Sequence, residues 1–243
     1  MNVWKITDIG AVRQQNQDAC RAEVLSENRL LLVVCDGMGG ARAGNVASEL
    51  AVQTFGDAVL ERLSDPERAG DIKRLLKEAV EIANHVIWHR SGTDPDCLGM
   101  GTTLVAALVN DGICHVVNVG DSRAYAVNTE GIRRITRDHS LVEDLVQRGE
   151  ITPEQARTHP QKNLITRALG AAPEITADVF EEPSVGGGYL LLCTDGLSNV
   201  VTDQEILYEI VHGGAPEECC KRLLDTALQR GAPDNVTAIL LQM

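Results

Sequence analysis

The sequence has few aromatic residues and no long hydrophobic run. Phe, Trp and Tyr make up 3% of the 243 residues, so the core must be aliphatic and a stacking surface for single-stranded nucleic acid is disfavoured. The longest apolar runs, such as residues 30–35, fall far short of the roughly 20 residues that a membrane-spanning helix needs. No basic and then apolar leader follows Met1. We therefore expect a soluble, cytoplasmic protein.

Cysteine is present, but not in the patterns of a zinc site or a disulfide framework. The seven cysteines are scattered, their number is odd, and no C-x-x-C pair occurs. Reduced thiols in a cytoplasm are the simplest interpretation.

Positive charge is also scarce. The chain has 22 basic and 35 acidic residues, a net charge of −13. A field of that sign repels phosphate backbones and anionic lipid, so we expect neither nucleic acid nor a membrane as a partner. Any phosphate group that binds must meet a local cation.

The hydrophobic pattern predicts an α+β protein with one continuous domain over residues 1–243. Short apolar runs predict strands at 30–35, 102–109, 113–119, 123–127, 189–194 and 236–241. Amphipathic periodicity predicts helices at 45–63, 71–90, 141–148, 203–211 and 216–230. Because the helices come in pairs between groups of strands, antiparallel sheets with helices outside are favoured over a parallel sheet. The polar stretch 136–170, with Pro153 as a break, predicts an insertion over the domain.

Aspartates follow three of the predicted strands, each beside a glycine. These pairs are Asp36-Gly37, Gly120-Asp121 and Asp195-Gly196, and Asp234 precedes the final strand. One such pair alone is more often a turn, but four aspartates at strand ends predict a shared carboxylate cluster. Oxygen ligands of this kind select Mg²⁺ or Mn²⁺, and two such ions hydrolyse phosphate esters in many enzymes. The glycines would let the backbone approach the ions closely.

Arg13 supplies a cation upstream of this cluster, near Asp18. A guanidinium can hold two phosphate oxygens at once. An isolated arginine is more often part of a surface salt bridge, so both interpretations stay open.

Six motifs carry a resemblance to a known family. In order, they are Arg13-x-x-Asn16-Gln17-Asp18, Asp36-Gly37-Met38-Gly39-Gly40, Gly99-Met100-Gly101-Thr102-Thr103, Gly120-Asp121-Ser122-Arg123, Thr194-Asp195-Gly196-Leu197 and Asp234-Asn235-Val236-Thr237. Together they resemble the metal-dependent serine/threonine protein phosphatases of type 2C (PPM family) in their short bacterial form. The resemblance implies a four-layer αββα sandwich of two antiparallel sheets. It also implies that 136–170 is a flap beside the active site.

The same resemblance implies roles for individual residues. Asp36 would bridge two catalytic Mn²⁺ or Mg²⁺ ions, with the Gly37 carbonyl, Asp195 and Asp234 as further ligands. Asp121 would hold a third, weaker ion together with Asp195. Arg13 and Asp36 would be the catalytic residues, Arg13 by binding the substrate phosphate. Gln17 and Asp18 would lie just behind the ligands.

The implied reaction is hydrolysis of phosphoserine and phosphothreonine by water activated at the binuclear centre. The implied partners are phosphorylated proteins, including a cognate serine/threonine kinase that the enzyme opposes, and the implied state is a monomer. On residues alone, two alternatives stay open: a phosphatase of small phosphoesters on the same fold, and a non-catalytic binding module.

Two positions depart from the family pattern. Gln17 stands where many members have Glu, and an uncharged side chain there would weaken the second ion site. Met38 stands where eukaryotic relatives have a His that is a proposed general acid. Met38 cannot donate a proton. His139 in the flap is a candidate for that role, but a solvated loop residue or a turn-forming contact is favoured.

Two further features have simpler interpretations. His85 and His89 have the spacing of a metal pair on a helix, but an exposed helix face is favoured. The basic run Arg133, Arg134 and Arg137 is either a solvated face or a patch that attracts phosphopeptides.

Overall fold

The computed structural model of the chain describes residues 2–65, 70–183 and 187–243. Its strands are β1 (Asn2–Asp8), β2 (Asp18–Ser26), β3 (Arg29–Met38), β4 (Gly101–Thr102), β5 (Leu104–Asn110), β6 (Ile113–Val119), β7 (Arg123–Asn128), β8 (Gly131–Arg134), β9 (Asp178–Pro183), β10 (Tyr189–Cys193) and β11 (Val236–Gln242). Its helices are α1 (Gly40–Leu63), α2 (Ile72–Thr93), α3 (Leu141–Gln147), α4 (Pro153–Thr158), α5 (Asp195–Ser198), α6 (Asp203–His212) and α7 (Pro216–Gln229), with a 3₁₀ turn at Pro95–Cys97.

The strands form two antiparallel sheets. The first has the order β1-β11-β10-β7-β8, and the second has the order β2-β3-β5-β6-β9, with β4 paired to β3. Every pairing is antiparallel, which confirms the predicted sheet type.

Strand β3 shows why the sheets are covered on both faces. Leu31, Val33 and Cys35 belong to one buried cluster with α1 and α2. Leu30 and its alternate neighbours on the other face pack instead against the first sheet. Because side chains alternate across a strand, this continuous apolar run buries both faces, and the second sheet lies between the helices and the first sheet.

The helices complete the outer layers. Helices α1 and α2 cover the second sheet, and α5, α6 and α7 cover the first. On α2 the buried side chains include Leu75, Leu76, Ala79 and Val80, which is the spacing of a helical stripe. The predicted four-layer αββα sandwich of the α+β class is confirmed.

Several elements differ from the prediction. Four strands, β1, β2, β8 and β9, were not predicted, because they are half-buried edge or near-edge strands with mixed polar and apolar residues. Helix α1 begins at Gly40 rather than at 45. Pro153 marks the start of a helix, α4, that was not predicted. It is the first residue of α4, where Thr152 and Gln155 form a capping box and the missing N–H of proline costs nothing.

The stretch 136–170 has no core of its own, as predicted for an insertion. Helices α3 and α4 contain no fully buried residue. The stretch is attached to the sandwich by the bridge between Thr102 and Leu169, and its own ends meet at the bridge between Ser140 and Ile165. We call residues 136–170 the flap. Among the described helices, none combines the length and apolarity needed to span a membrane.

Candidate metal centre

Four aspartates from both sheets face one cavity of about 610 Å³. Asp36 lies in β3, and Asp121 directly follows the Gly120 turn after β6. Asp195 follows β10, and Asp234 precedes β11. Because β10 and β11 are antiparallel neighbours, the last residue of β10 and the first residue of β11 lie at the same end of this strand pair. The structure therefore brings the predicted carboxylates together, and Arg13 lines the same cavity.

Two glycines allow the backbone segments of the site to pack closely. A Cβ at Gly196 would lie 1.8 Å from the carbonyl oxygen of Asn235, and one at Gly37 would lie 2.0 Å from that of Gly44. Each glycine therefore has a packing reason within the protein, in addition to the approach to ions that the sequence suggested. Gly196 in particular holds the turn of Asp195 against the turn of Asp234.

Threonines of the GMGTT motif hold the backbone of Asp36. Its N–H donates to Thr103 Oγ1 at 2.9 Å, and its carbonyl accepts from Thr102 Oγ1 at 2.9 Å. Thr103 Oγ1 also lies 2.7 Å from Ser122 Oγ and shares a hydrogen bond with it. These buried contacts fix the end of β3 and connect it to the turn that carries Asp121. The motif was noticed in the sequence, but no role followed from it.

The carboxylates raise one another's pKa values. Burial, followed by the charges of neighbouring carboxylates, raises the pKa of Asp36 well above its ordinary value. Burial and the charge of Asp195 raise the pKa of Asp121 to about 8. Burial and the charge of Asp234 raise that of Asp195. Such a cluster is unfavourable when fully ionised and is stabilised by added positive charge.

The oxygens of this cluster fit divalent cations. Asp195 Oδ1 and Asp18 Oδ1 are buried and lack a hydrogen-bond partner, and buried polar atoms normally have one. The donors are carboxylate oxygens, which suit Mg²⁺ and Mn²⁺. Among the described residues, no three acidic, histidine or cysteine side chains already surround a common point. Two of the carboxylates instead accept hydrogen bonds from other side chains: Asp234 accepts from Arg13, and Asp195 accepts from Asn199.

Asp18 and Gln17 lie beside the candidate ligands, and Asp18 is the partner of Asp36 across β2 and β3. Asp18 Oδ2 accepts from Thr194 Oγ1 at 2.9 Å, and burial followed by the charges of Asp195 and Asp234 raises its pKa to about 7. Gln17 lines the cavity, and its carbonyl accepts from the N–H of Gly37 at 3.0 Å. Both residues therefore contact the segments that carry the candidate ligands.

Arg13 contacts a carboxylate of the cluster. Its Nη2 donates to Asp234 Oδ2 at 2.6 Å. Asn235 holds the two segments together, because its side chain donates to the carbonyls of Ile9 and Gln15 and accepts from the N–H of Gln17. The two interpretations of Arg13 are thus not exclusive: it makes a salt bridge and it also faces the cavity.

Met38 lines the cavity, whereas His139 is not among the residues that line it. His139 is buried, and its ring lies between the N–H of Gly120 and the carboxylate of Asp178. It contacts a turn, which was the favoured alternative to a role as general acid, and it is not placed to donate a proton in this cavity.

The basic run and the histidine pair noted in the sequence have structural explanations. Each arginine of the basic run has an acidic partner: Arg133 pairs with Glu182, Arg134 with Glu143, and Arg137 with Asp144. The run is therefore a paired, solvated face. His85 and His89 are exposed and stacked on each other along α2, which confirms the interpretation as an exposed helix face.

Sequence reasoning missed three residues of the cavity and its rim. Asn163 and Ile165 of the flap line the cavity, and Asn199 Nδ2 donates to Asp195 Oδ2 at 2.9 Å. Nothing in the sequence pattern marks these positions. A second cavity of about 440 Å³ lies between the flap and α6 and shares Asp121 and Asp195 with the first.

Comparison with known proteins shows similarity along nearly the whole chain. A family model described as "Protein phosphatase 2C" matches residues 11–238. "Serine/threonine phosphatase stp" of Listeria monocytogenes serotype 4b (strain F2365) is 38% identical over 236 residues, which cover 97% of this chain and 93% of that protein. The crystal structure of serine/threonine phosphatase Stp1 from Staphylococcus aureus has a TM-score of 0.89 at 38% identity, covering 99% of this chain and 94% of the other. The catalytic domain of the serine/threonine protein phosphatase PstP, solved in complex with two manganese ions, has a TM-score of 0.82 at 37% identity, covering 98% and 96%.

Proposed function

The chain belongs to the protein phosphatase 2C family, and from this premise we propose roles for the residues of its carboxylate site. The protein is a metal-dependent serine/threonine phosphatase that uses Mn²⁺ or Mg²⁺ and acts on phosphorylated proteins. We assign the binding of the ions and of the substrate phosphate to particular side chains.

Asp36, Asp195 and Asp234, with the carbonyl of Gly37, are the proposed ligands of the two catalytic ions. Asp121 and Asp195 are the proposed ligands of a third, weaker ion. The position of Asp36 supports its central role. Burial raises its pKa most, and the charges of the four neighbouring aspartates raise it further, so Asp36 lies close to all of them. When bound, two divalent cations supply an activated water and neutralise charge on the phosphate oxygens.

The other proposed roles belong to groups that position the substrate. Arg13 lies at the cavity rim with its side chain half exposed, where its guanidinium can hold two oxygens of the phosphate and favour the charge that develops on them. Asn163 and Ile165 place the flap against the same cavity. Thr103 and Asn199 orient Asp36 and Asp195.

The observation that carries these assignments is the convergence of four strand-end aspartates and one arginine on a single cavity. The test is turnover of a phosphothreonine peptide by the wild type with Mn²⁺, with EDTA, and by Asp36→Asn. We expect turnover only in the first case, and normal turnover by Asp225→Asn, which changes an exposed carboxylate on α7. Activity of Asp36→Asn comparable to wild type would refute the ligand assignment.

Further proposals concern the protein's setting. We infer one catalytic domain over 1–243, supported by a family match over 11–238. We infer a cytoplasmic location, supported by seven cysteines, none of which forms a disulfide among the described residues. A cognate serine/threonine kinase as a partner and a monomeric state complete the proposal. Mixing the protein with autophosphorylated candidate kinases tests the kinase partner, and sedimentation tests the monomeric state.

A further inference from the structure

His139 connects three segments around the Asp121 turn. Its backbone N–H donates to the carbonyl of Gly120 at 2.9 Å, and its carbonyl accepts from the N–H of Thr166 at 2.8 Å. Its ring lies between the N–H of Gly120 and Asp178, the first residue of β9. The residue therefore links the turn after β6, the returning arm of the flap and the edge of the second sheet.

The hydrogen bond to Gly120 fixes the protonation of the ring. A backbone N–H can only donate, and Gly120 N lies 3.1 Å from Nδ1, so Nδ1 must present a lone pair. The proton of the neutral ring is then on Nε2, where it donates to Asp178 Oδ2 at 3.2 Å. Burial lowers the pKa of His139, which keeps the ring neutral at physiological pH.

Arg167 holds the carboxylate that accepts from the His139 ring. Its Nη1 lies 3.2 Å from Asp178 Oδ1 and 3.2 Å from His139 Nε2. A protonated Nε2 cannot accept a hydrogen bond, so the guanidinium pairs with the carboxylate, which accepts from both neighbours. Asp178 is thereby held in place to fix the orientation of the His139 ring.

Gly120 is the residue directly before Asp121 and has a φ of +105°, a conformation that glycine adopts readily and other residues rarely do. A Cβ there would lie 2.6 Å from Thr103, whose hydroxyl holds Asp36. The direction of the Asp121 carboxylate is thus set by how Gly120 is held, and His139 holds it from both its N–H and its carbonyl.

We propose that His139 is a positioning residue whose Nδ1 lone pair orients the Gly120–Asp121 turn and thereby the ion-binding carboxylate of Asp121. The proposal rests on the proposed role of Asp121 as an ion ligand. It also connects the flap to the metal centre, since the backbone of His139 belongs to the flap.

Two variants of His139 separate this role from simple packing. In His139→Asn the side-chain oxygen can replace Nδ1 and accept from Gly120, but the side chain does not reach Asp178. In His139→Gln the amide can replace Nε2 and reach Asp178, but it leaves the N–H of Gly120 without an acceptor. Both remove the same ring from the same buried place, so a packing role predicts equal losses.

The primary measurement is Mn²⁺ binding by isothermal titration, with attention to the weakest binding step. We expect the Gln variant to weaken that step about ten-fold or more, as loss of a partner that orients a metal ligand usually does, and the Asn variant to stay close to the wild type. Amide exchange of Gly120 in the Mg²⁺ form should be faster in the Gln variant and protected in the Asn variant. Equal losses in the two variants, or no loss in the Gln variant, would overturn the proposal.

A measurement on the unmodified protein tests the proposal even if neither variant folds. Nitrogen chemical shifts of the His139 ring in the Mg²⁺ form should show an unprotonated Nδ1 and a protonated Nε2. A protonated Nδ1 would overturn the proposal. Turnover of phosphothreonine peptide by the wild type is measured in parallel: normal turnover with the wrong tautomer defeats only the role of His139, and absent turnover defeats the proposed function.

Discussion

Arg13 and Asp234 form an ion pair at the rim of the carboxylate cavity, with Nη2 of the arginine 2.6 Å from Oδ2 of the aspartate. The partners lie 221 residues apart in the sequence, and Asn235 brings their segments together. The arginine thus neutralises a carboxylate that we propose as an ion ligand. An ion at Asp234 and the guanidinium of Arg13 therefore compete for the same oxygen.

This competition predicts opposite effects of Arg13→Ala on two quantities. Mn²⁺ binding should become tighter, by about five-fold or less, because an ion pair this exposed stabilises by about 1 kcal/mol at most. The specificity constant kcat/KM for a phosphopeptide should fall on the order of a hundred-fold, because a hydrogen-bond donor to the phosphate is lost.

Calorimetric titration and steady-state kinetics check the two effects, with Arg13→Lys as the matched variant that keeps the charge. Weaker Mn²⁺ binding by Arg13→Ala would show that the arginine supports the ion site and does not compete with it.

Asp36→Asn should stabilise the metal-free protein while abolishing its response to metal. The amide resembles the protonated carboxyl, which is the form that the raised pKa of Asp36 shows to be favoured in the folded state. A gain of about 1 kcal/mol corresponds to a Tm increase of about 2–4 °C for a domain of this size. Thermal unfolding at pH 8 in EDTA, and again in Mn²⁺, measures both effects. A variant that unfolds at lower temperature than the wild type in EDTA would contradict this expectation.

The metal-free protein should lose stability as the pH rises from about 4 to about 8. The ordinary pKa of an aspartate is 3.8, but folding raises that of Asp18 to about 7 and that of Asp121 to about 8. Between these values the folded chain holds protons that the unfolded chain has released, so each increase in pH favours unfolding.

Unfolding in EDTA across this range tests the trend, and saturating Mg²⁺ should reduce it because bound cations replace the protons. For the same reason, Mn²⁺ should bind more tightly at pH 8 than at pH 6 and release protons on binding. A flat stability profile in EDTA would show that the carboxylates do not repel one another as described.

Gly196→Ala should destabilise the protein and disturb the site together. Its Cβ would lie 1.8 Å from the carbonyl oxygen of Asn235, so the turns of Asp195 and Asp234 must move apart at a cost of about 3 kcal/mol. Gly92→Ala is the control, since that glycine is in α2 with no atom within 4 Å of its Cβ position, and alanine there should stabilise by up to about 1 kcal/mol. Equal Tm values for the two variants would contradict the packing argument.

The sequence predicts the buried parts of this fold well because their patterns are local. The run in β3 is apolar on both faces. The turn between β5 and β6 uses Asp111 and Gly112, both with positive φ, and an Asp-Gly pair between two apolar runs is typical of such a hairpin turn. The half-buried strands β1 and β9 were missed because their pairing with distant strands, and not their own composition, makes them strands. Helix α4 was missed because its 6 residues are too few for an apolar periodicity, although Pro153 stands at its start.

The candidate site was also predicted only in part from the sequence. Strand-end aspartates are visible in the sequence, since three of them follow an apolar run and Asp234 precedes one. The partners that orient them are not visible: Asn199 contacts Asp195 across one turn of α5, and His139 reaches Gly120 across 19 residues. Such contacts depend on where separate segments lie in space, and a polar residue in a loop gives no sign of its partner.

The strand order of the first sheet determines when the site can form. Strand β11 lies between β1 and β10, so strands from opposite ends of the sequence must meet before the centre of that sheet exists. Contacts at such sequence separation are slow to form, and Asp234 directly precedes this strand. Before β11 has paired with β10, Asp234 does not lie beside Asp195, so the proposed set of ion ligands is incomplete. We therefore expect phosphatase turnover in a refolding experiment to appear together with the pairing of β11.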